Sequence, residues 1–210
     1  MTPPPAKLLN LQKLINDFSR IRRSVYMPGL DEDESDLHHS ASVAFLAWQI
    51  YEDLNLDLDL GKILKYALAH DIVEIYAGDI NAYASPELRA EKKRREAKSL
   101  ARIEKEMKVD FPDLVAIMRD YEARSDDEAL FVWSVDKMQV LIQGRLDYCR
   151  SYYEQGILLE QVRQVHGKQV ENASPLVKDL YKQVFDWFVA DYDETKAASN
   201  GKIRNNPPAR

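Results

Sequence analysis

Apolar residues recur every three or four positions along most of this 210-residue chain, which is the spacing of amphipathic helices. One such stretch covers residues 8–23, a second about 37–54 and a third about 60–76, where Gly78 is placed to end the helix. Between the first two lies SVYMPGLDEDESD, which contains Pro-Gly and many acids. We interpret this segment as a loop.

The second half of the chain carries several helix starts. Ser85-Pro86 places a capping side chain before a proline, and this predicts a helix to about residue 108. Further helices are predicted from Pro112, over about 125–153, and from Pro175. The sequence therefore predicts an all-α, single-domain bundle of about seven helices over residues 6–195, with 196–210 as a flexible C-terminal tail.

Composition narrows the class of protein. The single cysteine, Cys149, excludes an internal disulfide framework and a multi-cysteine zinc site. The longest run without a charged residue or histidine, 40–51, is too short to span a bilayer, and the N-terminus lacks the apolar core of a signal peptide. We therefore expect a cytoplasmic protein without a membrane partner. The net charge of -6 argues against binding a nucleic acid polymer but permits a small anionic substrate.

The few histidines of the chain are not scattered. A pair lies at the start of the second predicted helix, and His70-Asp71 lies late in the third. Glu74 follows on the same helical face, and Asp79 comes just beyond the predicted helix end. Taken alone, this segment fits a buried core histidine beside exposed acids slightly better than it fits a site.

Asp136 is the second unusual feature, because it lies on the apolar side of the helical segment ALFVWSVDKMQVLI. A buried carboxylate needs an arginine, a hydrogen-bond network or a metal ion. Two imidazoles and two carboxylates from three helices would make a donor set that suits Mn, Co, Ni, Fe or Zn. Glu74 and Asp79 are not needed as ligands in this donor set, and we consider them candidates for proton transfer.

Two further polar features receive no role in this interpretation. The run EKKRREAK at 91–98 could bind an anion, but its alternating charges are more typical of a solvated helix face. His166 stands alone in QVHGKQ, and we expect it on the surface.

The order His…His-Asp…Asp on helices resembles the HD-domain metal-dependent phosphohydrolases, and most closely their 5'-deoxynucleotidase-like branch. The matching stretches are 34–40 (ESDLHHS), 70–79 (HDIVEIYAGD) and Asp136-Lys137, within a resemblance over about residues 8–153. It implies a divalent metal ion (Mn, Co, Ni, Fe, Zn or Mg) and an all-helical fold. It further implies roles for six residues: metal binding by His39, His70, Asp71 and Asp136, and catalysis by Glu74 with Asp79 as its helper.

The resemblance also implies an arginine and a nearby aromatic residue that hold the phosphate and the sugar. Arg23 and Tyr26, in the stretch RSVY, align best, with Arg20 and Arg22 as alternatives for the arginine. Two features depart from the family pattern: the usual tryptophan is absent, and the loop DEDESD is unusually acidic. In addition, His38 occupies a position where the family usually has Glu or Asp.

The resemblance thus predicts an enzyme that removes the 5'-phosphate from (deoxy)nucleoside monophosphates, with a small-molecule nucleotide as substrate. One alternative is an HD hydrolase of another phosphate ester, such as a nucleoside triphosphate or a cyclic nucleotide. A non-catalytic nucleotide-binding helical domain is the other. Family members are often homodimers, and Tyr181 and Trp187 are candidates for such an interface.

Overall fold

The computed structural model describes residues 4–193, which form a helical bundle with one small antiparallel hairpin. The all-α prediction is confirmed, and no described helix is both long and apolar enough to cross a membrane. The strands are β1 (Arg22–Tyr26) and β2 (Asp33–Ser35). The helices are α1 (Pro5–Phe18), α2 (Asp36–Leu54), α3 (Leu60–Ala69), α4 (Glu74–Ala77), α5 (Pro86–Met107), α6 (Pro112–Ala123), α7 (Asp127–Leu146), α8 (Arg150–Glu154), α9 (Leu159–Glu171) and α10 (Lys178–Ala190). The predicted tail at 196–210 and the predicted domain end at 195 lie outside the described residues.

Helix α7 forms the centre of the bundle, where it packs against α2, α3, α6, α9 and α10. Its side chains Phe131, Val132, Val135 and Leu141 are all fully buried. A helix enclosed on most sides needs apolar residues around most of its circumference, which is the pattern that the sequence shows. The same enclosure places Asp136 inside the core.

Capping residues define the helix starts that the sequence predicts. The Ser85 side chain accepts from Leu88 N at 3.4 Å before α5, and the Asp126 side chain accepts from Ala129 N at 2.9 Å before α7. Ser35 does the same for α2. These oxygens satisfy backbone donors that have no partner inside the helix.

The predicted loop after the first helix is in part a β-hairpin, and the first helix ends earlier than predicted, at Phe18. Arg22 pairs with Ser35 and Tyr26 pairs with Asp33, while Met27 N donates to Glu32 O at 2.8 Å. Valine and tyrosine favour strands, and the following Pro-Gly favours a turn. The sequence did not indicate the hairpin because β2 contains acidic residues, which are uncommon in strands.

Two predicted helices each break into a long and a short segment, so the structure has more helices than the seven or so predicted. The third ends at Ala69, and a tight turn follows in which Glu74 N donates to Asp71 O at 2.9 Å. The helix predicted over 125–153 ends at Leu146, because Tyr148 adopts a positive φ of 51°. Neither break coincides with a proline or glycine.

Helix α9 was not predicted, and the prediction that His166 lies on the surface is wrong: its side chain is buried. Only Val162 and His166 are fully buried on this helix, so its apolar stripe is too narrow to reveal it. The last helix begins at Lys178 and not at Pro175.

Candidate active site

Three elements bring the predicted metal ligands together. His39 lies in the first turns of α2, His70 and Asp71 lie in the turn after α3, and Asp136 lies midway along α7. His39, His70 and Asp136 each offer a ligand atom within 4.8 Å of the others. The cluster therefore depends on the break between α3 and α4 as well as on the packing of α2 against α7.

Hydrogen bonds at the Nδ1 atoms of His39 and His70 fix the tautomers of the two imidazoles. His39 Nδ1 lies 2.8 Å from Gln139 Oε1, and His70 Nδ1 lies 2.9 Å from Ala67 O. Both partners are acceptors, so each Nδ1 donates a proton, and each Nε2 can bind a metal ion once it carries no proton. This is the arrangement in which metal-binding histidines are usually held.

The Nε2 atoms face carboxylate oxygens. His39 Nε2 lies 3.1 Å from Asp136 Oδ1 and 3.7 Å from Asp71 Oδ2. His70 Nε2 lies 3.2 Å from Asp71 Oδ2, yet it is buried and makes no hydrogen bond within residues 4–193. A proton or a metal ion on Nε2 can satisfy such contacts, and the cluster of His39, His70 and Asp136 has the donor atoms that suit a divalent metal ion.

Neighbouring cations keep the two aspartates ionised. Burial opposes the charged form of Asp136, but Lys137, whose Nζ lies 2.6 Å from Asp136 Oδ2, and the two histidines together hold its pKa well below the usual value. Burial likewise opposes ionisation of Asp71, whose pKa His70 and Arg23 lower. Ionised carboxylates are the form that binds metal.

Arg23 is the one predicted arginine that lies beside this cluster. Its Nη1 donates to Asp71 Oδ2 at 2.8 Å and lies 3.3 Å from Asp36 Oδ1, and its Nε lies 3.6 Å from Glu34 Oε2. Glu34 and Asp36 are fully buried, so part of the acidic loop faces this arginine and not the solvent. Burial raises the pKa of Asp36 to about 7, although Arg23 opposes the shift.

The alternatives to Arg23 lie elsewhere, because the side chains of Arg20 and Arg22 are exposed and that of Arg20 pairs with Asp17. Tyr26 does not line the cavity that opens beside the cluster either. Its hydroxyl donates to Glu154 Oε2 at 2.8 Å, and the Arg150 guanidinium stacks on its ring at 3.9 Å.

A cavity of about 130 Å³ opens beside the cluster. It is lined by one of the predicted metal ligands, Asp71, by the predicted catalytic pair Glu74 and Asp79, and by Arg23 and Lys92. Glu74 and Asp79 are almost completely buried, at 3% and 7% exposure. Acids and cations thus line the same cavity.

The interpretation of residues 91–98 as a solvated helix face is wrong at Lys92. Its Nζ donates to Glu74 Oε1 at 2.7 Å and lies 3.6 Å from Glu96 Oε1. Burial raises the pKa of Glu74 well above its usual value, and Lys92 opposes that shift. Lys92 lies seven residues before the buried Ser99 on α5, and this helical spacing was a signal that could have found it.

Comparisons with known proteins agree with this geometry. The model of the HD domain family matches residues 19–178. The mouse 5'-deoxynucleotidase HDDC2 is 30% identical over 142 residues, which cover 66% of this chain and 69% of the mouse protein. The Saccharomyces cerevisiae 5'-deoxynucleotidase YBR242W is 30% identical over 156 residues, which cover 71% of this chain and 63% of that protein. This chain therefore belongs to the HD domain family.

A solved structure supports the fold. The crystal structure of a protein from Magnetospirillum magnetotacticum MS-1, described as a predicted metal-dependent phosphohydrolase, matches with a TM-score of 0.71. The match covers 88% of this chain and 96% of the other at 23% identity. At this identity the likeness concerns the arrangement of helices.

Proposed function

We propose that this protein is a metal-dependent phosphohydrolase that removes the 5'-phosphate from deoxynucleoside monophosphates. The observation that carries the proposal is the convergence of two tautomer-fixed imidazoles, His39 and His70, with Asp136 beside a cavity that contains both acids and cations. The substrate class comes from the relatives, which are named 5'-deoxynucleotidases.

In this proposal His39, His70, Asp71 and Asp136 hold the divalent ion, which is one of Mn, Co, Ni, Fe, Zn and Mg. When bound, such an ion polarises a phosphoryl oxygen and lowers the pKa of a water molecule. The remaining work belongs to the protein: holding the phosphate, orienting water and moving a proton to the leaving oxygen.

Arg23 is our candidate for holding the phosphate. A guanidinium offers five N–H donors, and those on Nη1 already fix it against Asp71 and Asp36. The group is thereby oriented in the cavity wall before substrate arrives. A planar guanidinium can bind two phosphate oxygens at once, which an ammonium group does less well.

Glu74 is our candidate for proton transfer, with Asp79 as its helper. Lys92 holds Glu74 Oε1, while Glu74 Oε2 is buried and has no hydrogen-bond partner in the described part of the chain. That oxygen is therefore available to orient the attacking water or to protonate the leaving 5'-oxygen. Lys92 acts as a positioning residue, because it fixes the carboxyl group through the other oxygen.

The test is a screen of phosphate release with each of the six ions. Its substrates are deoxynucleoside and ribonucleoside 5'-monophosphates, deoxynucleoside triphosphates and cyclic nucleotides. We expect release from deoxynucleoside 5'-monophosphates. Turnover confined to triphosphates or cyclic nucleotides would assign another HD hydrolase activity, and nucleotide binding without turnover of any of these would assign a non-catalytic domain.

We also propose a cytoplasmic homodimer. The cytoplasmic assignment is supported by the single cysteine, which leaves no internal disulfide to form. Tyr181 is fully buried and cannot serve an interface, whereas Trp187 remains 48% exposed. Light scattering on the purified protein and cell fractionation test the two assignments, and a monomer or a membrane-pelleting protein would contradict them.

A further inference from the structure

Part of the cavity wall lies outside the metal cluster. It is formed by His166 on α9, Tyr152 on α8 and Tyr83 in the segment before α5. His166 and Tyr152 are each 3% exposed. None of these residues contributes to the proposed phosphate chemistry, so their role needs a separate explanation.

A chain of hydrogen bonds fixes the tautomer of His166. The Tyr181 hydroxyl donates to Gln169 Oε1 at 2.9 Å, and its oxygen lies 2.9 Å from His166 Nδ1. A hydroxyl has one proton, so Tyr181 accepts from Nδ1–H. His166 Nε2 is consequently a lone-pair acceptor, and the described residues provide no hydrogen-bond donor to it.

The environment of His166 also keeps it neutral. Burial lowers its pKa to about 3, and the positive charge of Lys137, another residue of the same cavity wall, acts in the same direction. The ring stacks on Phe185, with centroids 6.0 Å apart, so it is held in place. A neutral acceptor does not bind phosphate oxygens, which are themselves acceptors, and it requires a ligand group with a proton to donate.

The two tyrosines add polar groups of the same kind. The hydroxyls of Tyr83 and Tyr152 are buried and interact with each other, and neither forms a further hydrogen bond within residues 4–193. Their rings pack edge to face with centroids 5.9 Å apart. Two interacting hydroxyls still leave one proton and several lone pairs unused, and a ligand that brings hydroxyl or N–H groups can bind to them.

We propose that His166, Tyr83 and Tyr152 form the subsite for the nucleoside part of the substrate, and that His166 Nε2 accepts a hydrogen bond from it. The inference rests on the proposed function and extends it from the phosphate to the remainder of the substrate. The donor is either the sugar 3'-hydroxyl or an N–H of the base, and both have the chemistry that this acceptor requires.

Two variants separate this role from a structural one. His166→Asn retains an amide N–H near the Nδ1 position for Tyr181 but has no group at the Nε2 position. His166→Gln extends to the Nε2 position and can present its carbonyl oxygen there. We expect His166→Asn to lower kcat/KM for deoxynucleoside monophosphates by about tenfold, mainly through KM, and His166→Gln to recover part of the loss.

The control substrate is phenyl phosphate, which has no sugar or base and should be hydrolysed equally by the wild type and both variants. 2-Deoxyribose 5-phosphate and a 2',3'-dideoxynucleoside monophosphate then identify the donor. If the 3'-hydroxyl donates, His166→Asn affects the former and not the latter. If the base donates, the effects are reversed.

An equal loss on phenyl phosphate would overturn the inference, as would wild-type kinetics of His166→Asn on every deoxynucleotide. Thermal unfolding of each variant shows whether a common loss comes from the fold. Failure of the proposed function is a different outcome, because the wild type itself would then release no phosphate from any deoxynucleoside 5'-monophosphate, and the subsite inference would fall with it.

Discussion

His39 Nε2 lies 3.1 Å from Asp136 Oδ1, while His39 Nδ1 donates its proton to Gln139 Oε1 at 2.8 Å. Asp136 is held in its ionised form, so the short contact needs a proton or a metal ion between the two atoms. A divalent ion that binds here takes the place of that proton. This contact allows metal binding to be tested through protein stability and metal content, without a measurement of activity.

Asp136→Asn should abolish metal binding without unfolding the protein. The amide has the shape of the carboxylate and can still form a hydrogen bond with His39 Nε2, so the metal-free variant should remain folded. Its melting temperature should not rise with a divalent ion, whereas that of the wild type should. Metal content and thermal unfolding check this, with the exposed Asp120→Asn as control, and a wild-type metal content in Asp136→Asn would contradict it.

Glu74→Gln should retain the metal and the substrate but lower kcat by roughly 10²-fold or more, because the amide cannot transfer a proton. The matched control is Glu96→Gln, which removes the other acid beside Lys92 from outside the cavity lining. Steady-state kinetics and metal analysis distinguish the possibilities. Loss of metal from Glu74→Gln would show that Glu74 is a metal ligand. Equal losses of kcat in Glu74→Gln and Glu96→Gln would show that Glu74 has no specific role in proton transfer.

Arg23→Ala should lower kcat/KM by on the order of 10²-fold, about 2–3 kcal/mol, and Arg23→Lys should recover only part of this. Arg23→Ala should also destabilise the fold, because Glu34 and Asp36 then lose their buried partner. Arg20→Ala and Arg94→Ala, at exposed positions, are the controls. A strong kinetic defect in Arg20→Ala with none in Arg23→Ala would show that the phosphate is held elsewhere.

Lowering the pH should destabilise the protein through His166. Its pKa is about 6.5 when unfolded but about 3 when folded, so between about pH 6.5 and pH 3 only the unfolded chain binds the proton. The contribution to the free energy of unfolding falls by about 2 kcal/mol between pH 8 and pH 5. His166→Gln should therefore lose about 2 kcal/mol less than the wild type over this range, as measured by denaturant unfolding. Equal pH dependence of the free energy of unfolding in the wild type and in His166→Gln would contradict a neutral, buried His166.

The parts of the fold that follow from sequence are those governed by local rules. Caps such as Ser85 and Asp126 define helix starts, and a carboxylate in an apolar helix marks Asp136 as buried. The breaks after Ala69 and Leu146 have no such local signal. They depend on packing between elements distant in sequence, which a periodic pattern does not reveal.

The residues of the site also divide into those that a local sequence pattern indicates and those that only packing reveals. The spacing around His70 indicates chemistry, but the inward position of Lys92 in a highly charged run depends on which face of α5 meets Glu74. His166 is hidden for the opposite reason, because α9 has so few buried positions. Lys92 and His166 both reach the cavity because of the way their helices pack. The long side chain of Lys92 and the ring of His166 bury their apolar parts.

In the function that we propose, a divalent ion held by His39, His70, Asp71 and Asp136 enables hydrolysis of a deoxynucleoside 5'-monophosphate. The most direct measurement is phosphate release by one protein preparation before chelation, after removal of metal, and after titration with a single ion. We predict that release disappears on removal and returns in proportion to bound metal, reaching its maximum at one ion per chain. Undiminished release by metal-free protein would contradict the account.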